Sequence, residues 1–306
     1  MRRGGKGGHL SFPQWYQPTL FEQESPQYDE EKTAVKGKIF VLDHDTNKNG
    51  RIDFEDLEWK YLEGDGDFRS EEVCKLRDEA DMIVTNPPFS LFREFLAWIV
   101  GDSLAAKNAK SAKKFLIIGN KNCITYKEVF PLIKENKIWT GCRGFAGGMW
   151  FISDYEGKTE KIVDGKKIIN VPSIWFTNLE HGRRHQPLRL MTMADNIKFS
   201  KHKEVRGKGY LKYDNYDAIE VPFTDAIPSD YDGVMGVPKS FVDKYCPEQF
   251  EIVGCAEGES GKELGLAPFD RKLKKFNPSL RDGQLYYMQD GVPVKPFARI
   301  LVRHRR

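Results

Sequence analysis

Short apolar runs bounded by turn formers punctuate the chain and alternate with stretches of helical period. "KIFVL" (38–42), Met82-Ile83-Val84 and "KKFLIIGN" (113–120) are rich in β-branched and aromatic residues and read as strands, the last two as buried ones. "SEEVCKLRDEA" (70–80) predicts a short helix, with Ser70 as N-cap and Glu71 and Glu72 in the first turn. A second helix follows from apolar positions 91, 92, 95, 96, 98 and 99, and a third from "TYKEVFPLIKENK" (125–137). "LEWKYL" (57–62) has helix-forming content, while "GGMWFI" and "IINVPSIWFTN" read as further strands. This alternation over about 38–180 predicts an α/β domain with a parallel-rich sheet covered on both faces.

Beyond about residue 200 the texture changes to Tyr, Asp, Pro and Gly, as in "YDNYDAIEVPFTDAIPSDYDGVMGVPKSFV", which suggests a separate α+β module. Residues 1–37 lack periodicity and read as a flexible arm. The expected organisation is therefore an arm at 1–37, an α/β domain at 38–200 and an α+β module at 201–306.

Composition adds little until its distribution is considered. Forty-eight Lys+Arg against 45 Asp+Glu leave a formal charge of +3, so bulk charge does not announce a nucleic-acid partner. Basic residues nevertheless gather in "HGRRH" (181–185), "KFSKHKEVRGKGYLK" (198–212), "DRKLKKF" (270–276) and "RILVRHRR" (299–306), clusters that are ordinarily solvated faces and are also candidate contacts to a nucleic-acid backbone. No apolar stretch reaches the ~18 residues of a membrane span, and the N-terminus has no apolar signal core, so a cytoplasmic location is expected. Five scattered cysteines without a CxxC pair read as reduced thiols.

The chemistry concentrates at "DMIVTNPPFSLF" (81–92). The Asn86 side chain offers a carbonyl acceptor and the Pro87 backbone carbonyl a second one, while the prolines at 87 and 88 fix φ and remove competing N–H donors. Two convergent acceptors suit an exocyclic amine, and Phe89 could stack on the ring that carries it. The competing reading is an ordinary Asn-Pro-Pro turn.

"NPPF" after an apolar strand resembles the motif of amino-group DNA methyltransferases. Together with "GDGDFRSEEV", "KKFLIIGNKNCITYKEVFPLIKENKIW", "YDNYDAIEV", "YDGVMGVP" and "KYCPEQFEIVG", it extends the resemblance to the EcoRI-type adenine-specific methyltransferase family from about residue 38 onward. The resemblance implies a Rossmann-like S-adenosylmethionine-dependent sheet with a C-terminal target-recognition module. It also implies methyl transfer to the N6 of an adenine flipped out of double-stranded DNA, with Asn86, Pro87, Pro88 and Phe89 catalytic. Asp67-Phe68 lies about twenty residues earlier. By the same resemblance Asp67 would accept from the cofactor's amino group and Phe68 would wall its adenine.

Such enzymes carry a glycine-rich cofactor loop after the first strand, and no strand–glycine loop–helix precedes Asp67 here. The sheet is thus expected to be partial, with its first strands missing at the N-terminus. The chain would then be poorly stable alone or dependent on a missing N-terminal fragment. Two other functions stay open: an inactive methyltransferase fragment binding DNA or calcium, and an amino-methyltransferase acting on RNA or protein.

A second motif, "DTNKNGRIDFED" (45–56), places Asp45, Asn47, Asn49, Arg51, Asp53 and Asp56 at the ligand positions of an EF-hand-like calcium loop, with Gly50 at the sharp turn. Asp at the closing position, two Asn ligands and an entering strand depart from the EF-hand pattern. The alternative is an Asn/Gly turn capped by Asp53. His181 and His185 read as part of a phosphate-touching loop rather than a metal pair.

Overall fold

A computed structural model describes residues 18–105, 113–145, 147–152 and 161–305. They form two compact units, one ending at Asp81 and the other beginning at Met82. Most of the expected arm, residues 1–17, lies outside the described residues; residues 18–37 carry two short helices, α1 (Leu20–Gln23) and α2 (Glu30–Val35). Helix α1 starts with a reciprocal capping box between Thr19 and Glu22, and the buried Glu22 carboxylate holds Lys38 at 2.7 Å.

The first unit continues with an antiparallel pair, β1 (Lys38–Val41) and β2 (Glu58–Tyr61), then α3 (Glu71–Glu79) capped by Ser70 as expected. The helix-forming content of 57–62 gives way here to strand. Glu58 and Lys60 are exposed while Trp59 is buried, a period of two that matches a ribbon with one face against α1 and α2. Trp59 Nε1 donates to Ser25 Oγ at 2.9 Å, fixing that face.

The second unit begins with β3 (Met82–Thr85), followed by α4 (Phe92–Ala105), β4 (Lys114–Asn120), α5 (Phe130–Lys134) and β5 (Trp139–Thr140). Next come β6 (Met149–Ile152), β7 (Lys161–Val163), β8 (Lys166–Val171) and β9 (Ser173–Thr177). The helix expected over 125–137 shrinks to α5, because Pro131 lacks the N–H an earlier start would need. Strands β3, β4, β9 and β5 hydrogen-bond in that order, and only β3–β4 is parallel. The expected parallel-rich sheet is therefore mixed, because β9 runs antiparallel to both of its neighbours, β4 and β5. Strand β3 is its edge, with Met82 45% and Val84 59% exposed, where a buried strand was expected.

Strands β6, β8 and β7 form a separate three-stranded sheet. The later part carries α6 (Met193–Phe199), β10 (Ala218–Glu220), β11 (Val234–Pro238), β12 (Phe250–Ala256), α7 (Gly258–Glu263), the pair β13 (Tyr287–Gln289) and β14 (Val292–Val294), and β15 (Arg299–His304). A second mixed sheet runs β10-β11-β15-β12. Inside it Arg299 Nε donates to Glu220 Oε2 at 3.0 Å, and the Tyr213 hydroxyl donates to the same carboxylate, so the buried charges are mutually satisfied.

Candidate active site

The site grows from the end of β3. Hydrogen bonding to β4 carries the strand to Thr85, and Pro87, which has no N–H, stops it. Pro87 is buried and Asn86 exposed. Pro88 takes φ −54° and ψ 125°, and its carbonyl accepts from Leu91 N at 2.9 Å, turning Phe89–Leu91 into a single 3-10 turn that runs into α4. Phe92, 1% exposed, anchors that junction: its ring lies 5.3 Å from the Phe176 ring of β9. A Cβ at Gly119 of β4 would fall 2.4 Å from the Phe92 ring, so only glycine admits this packing.

Asn86, Pro87, Pro88 and Phe89 form one wall of an open cleft of about 440 Å³; the other wall is Phe151 and Ile152 of β6 with Ile169 and Val171 of β8. That volume suits a small organic ligand. No described residue donates a hydrogen bond to Asn86 Oδ1 or to the Pro87 carbonyl, so both acceptors are free to meet a ligand amine. Among the described residues the lining holds no ionisable side chain.

The four β6–β8 residues were missed in the sequence. Their signal was weak but present: Phe151 pairs across the ribbon with Ile169, and Ile152 stays 66% exposed, an apolar surface without a core to fill. The glycines of "GFAGGMW" aim this ribbon. Gly147 and Gly148 take φ +87° and +64°, and a Cβ on Gly148 would lie 2.4 Å from the Val171 carbonyl oxygen.

Asp67 and Phe68 lie in the first unit, outside the lining of this cleft. Both Asp67 oxygens are bonded by Arg69, Oδ1 to Nε at 2.9 Å and Oδ2 to Nη2 at 2.6 Å, and this pairing holds the carboxyl below its ordinary range. Arg69 also rests 5.3 Å from the Phe68 ring.

The 45–56 loop closes on its own backbone. Asp45 Oδ2 accepts from Gly50 N, Asn47 Oδ1 from Asn49 N, Asn49 Oδ1 from Arg51 N, and Asp53 Oδ1 from Glu55 N. Asp56 accepts from the Asp53, Thr46 and Asn47 N–H groups, foremost Asp53, which holds its carboxyl at about 2. Among the described residues no group of three or more His, Cys, Asp or Glu is placed to hold a metal.

The phosphate-touching reading of "HGRRH" is overturned, because both arginines are engaged internally. Arg183 donates to the Cys142 carbonyl and to Asp243, while Arg184 is buried, stacked 3.7 Å from the Trp139 ring and bonded to Glu180 and Asn136. His181 meets the Thr140 carbonyl and His185 sits between Glu180 and Glu248, so they share no ligand point.

A strand that runs into a glycine turn and a helix does occur, late in the chain, where β12 leads through Gly258 into α7. Its glycines serve chain crossing: a Cβ on Gly261 would come 1.9 Å from the Gly283 carbonyl oxygen, and one on Gly283 equally near that of Gly258.

Comparison with known proteins fixes the lineage. A family model described as "Adenine-specific methyltransferase EcoRI" matches residues 13–305. The chain is 43% identical over 251 residues to the Type II methyltransferase M.EcoRI of Escherichia coli, covering 79% of this chain and 71% of that protein. It is 35% identical over 231 residues to the Type II methyltransferase M.MpnI of Mycoplasma pneumoniae, covering 72% and 67% respectively. A Type II methyltransferase of Mycoplasma genitalium, M.MgeORF184P, is 39% identical over 201 residues, 63% of this chain and 58% of that one. No solved structure matches. The chain belongs to the EcoRI-type adenine-specific methyltransferase family.

Proposed function

We propose that the cleft beside Asn86 receives an adenine extruded from double-stranded DNA and that the chain methylates its N6 amino group. As a member of this family the chain is an adenine-specific DNA methyltransferase of the restriction-modification kind that uses S-adenosylmethionine. Bound S-adenosylmethionine supplies an electrophilic methyl group. The chain's own residues do the rest. Asn86 Oδ1 and the Pro87 carbonyl accept the two N6 hydrogens, draw the nitrogen toward tetrahedral geometry and aim its lone pair. Phe89 stacks on the purine, and Phe151, Ile152, Ile169 and Val171 exclude water from the opposite side. The proton shed from N6 passes to water, since no base lines the cleft among the described residues.

The observation that carries this reading is the pairing of two unengaged acceptors with an apolar cleft of about 440 Å³. A partly Rossmann-like catalytic region over 38–200 and a recognition module over 201–306, with Lys203, Arg206, Lys208 and Lys212 free of ion pairs among the described residues, fit the same assignment. In it Asp67 and Phe68 hold the cofactor's adenine end once Arg69 shares the carboxylate. The test is transfer of labelled methyl from S-adenosylmethionine to unmodified duplex DNA, with Asn86→Ala as control. Incorporation that the variant abolishes supports the assignment; incorporation equal in both sinks it.

Calcium at the 45–56 loop belongs to this reading as a weak structural ligand. The cation would have to draw Asp45, Asn47, Asn49, Asp53, Asp56 and the Arg51 carbonyl inward from their present backbone partners, so a Kd on the order of 10⁻³ M is expected. A calorimetric titration without heat, together with an unmoved melting temperature at millimolar calcium, overturns it.

A further inference from the structure

The carboxyl ends of β4 and β11 meet at a pair of lysines that the reaction described above does not use. Lys121 follows the last residue of β4, and its N–H donates to the Pro172 carbonyl at 2.8 Å, next to Val171 of the cleft wall. Lys239 follows the last residue of β11, and its Nζ donates to Asn122 Oδ1 at 2.5 Å. Both lysines are partly buried, and neither has a carboxylate within ion-pair distance among the described residues. The carboxylate nearest in effect, Glu257, accepts instead from Gln284 Nε2 at 2.6 Å.

Burial, and after it the charge of Lys121, depress the Lys239 ammonium from its ordinary range. Two like charges near one another and half out of water, with only the Asn122 amide oxygen accepting from one of them, are an arrangement that an anion would relieve. Lys121 Nζ lies 5.5 Å from the Phe145 ring, in the glycine segment that leads into β6. Lys121 thus stands at the foot of the ribbon carrying Phe151 and Ile169, bonded to the residue that follows the cleft-lining Val171.

The geometry points to a phosphodiester-binding site made by Lys121 and Lys239, which grips the backbone of the extruded nucleotide. Resting on the adenine reading of the cleft, the site supplies what that reading lacks. A nucleotide swung about 180° out of a duplex needs its flanking phosphate held, and Asn86–Phe89 contact only the base. Asn122 orients Lys239, and Phe145 orients Lys121, so the donors stand ready before DNA arrives.

The experiment measures affinity for a fluorescein-labelled 30-base-pair duplex with a single mismatched adenine, and for its fully paired counterpart, across salt concentrations. The full-length chain is compared with Lys239→Met, Lys121→Met, the double variant and Lys239→Arg, each first shown by melting to be folded. The slope of log Kd against log salt should fall by about 0.9 for each lysine removed, additively in the double variant, and Lys239→Arg should keep the parent slope. Calorimetric affinity for S-adenosylmethionine should stay unchanged. An unchanged slope in the double variant, while the parent still methylates DNA, overturns the lysine site and leaves the adenine reading standing. A tenfold loss of S-adenosylmethionine affinity with an unchanged slope would place the cofactor's carboxylate there and also overturn it. A parent chain that binds neither duplex sinks both.

Discussion

Asn86 makes no hydrogen bond to any described residue, which separates its chemical role from its structural one. Removing its side chain leaves no buried donor stranded, so Asn86→Ala should keep the melting temperature of the parent. Catalysis should suffer: loss of one preorganised polar contact to a reacting group costs about 10²–10³ in kcat. Single-turnover methyl transfer checks this, and a fall below tenfold would remove Asn86 from the chemistry. Asp67 stands differently, because its carboxylate already has a partner in Arg69. The sequence pattern around Asn86 was legible because prolines impose their geometry locally. Partners brought in from far along the chain, such as Phe151 and Val171, leave no comparable local mark.

At the scale of elements, what positions the site is the join between β3 and α4, and one side chain secures it. Phe92→Ala would empty a fully buried site between Gly119 and Phe176, at a cost of about 3–5 kcal/mol on the general scale for such truncations. Chemical denaturation should show this as a lower midpoint with an unchanged slope, and a loss under 1 kcal/mol would mean that the join is held otherwise. Gly119→Ala should be as harmful, from overlap instead of a void. Most elements follow from their patterns: Ser70 caps α3, and the apolar spacing from Phe92 onward makes α4. The failures have physical causes. "LEWKYL" contains good helix formers, yet its alternation pairs it with β1, so tertiary context outweighed propensity. The parallel-rich sheet was inferred from the alternation of strands and helices, which does not fix strand direction; β9 enters antiparallel beside β4.

Across the whole molecule, each compact unit contains a hydrogen-bonded ionisable group whose titration gives stability its own pH flank. In the first unit, backbone N–H groups, Asp53 first, lower the Asp56 carboxyl from its ordinary 3.8 to about 2. Its contribution is therefore complete above the unfolded value and is lost as pH falls from 3.8 through about 2. In the second unit, His185 is clasped by Glu180 at 2.9 Å and Glu248 at 2.8 Å, and these carboxylates, Glu180 first, raise it above 6.5. The surroundings also include Arg184, which bonds Glu180, and the Cys246 thiol, 3.1 Å from Glu248. A raised folded value works in the opposite sense: the contribution is complete below 6.5 and is lost as pH rises through the folded value. Melting temperatures recorded across pH should separate the two flanks. Asp56→Asn should melt below the parent at pH 5 and converge with it near pH 2, whereas His185→Gln should melt below the parent at pH 5.5 and converge above neutrality. Two variants with constant deficits across the whole range would mean that neither group's charge contributes, and that both act only as neutral hydrogen-bonding partners.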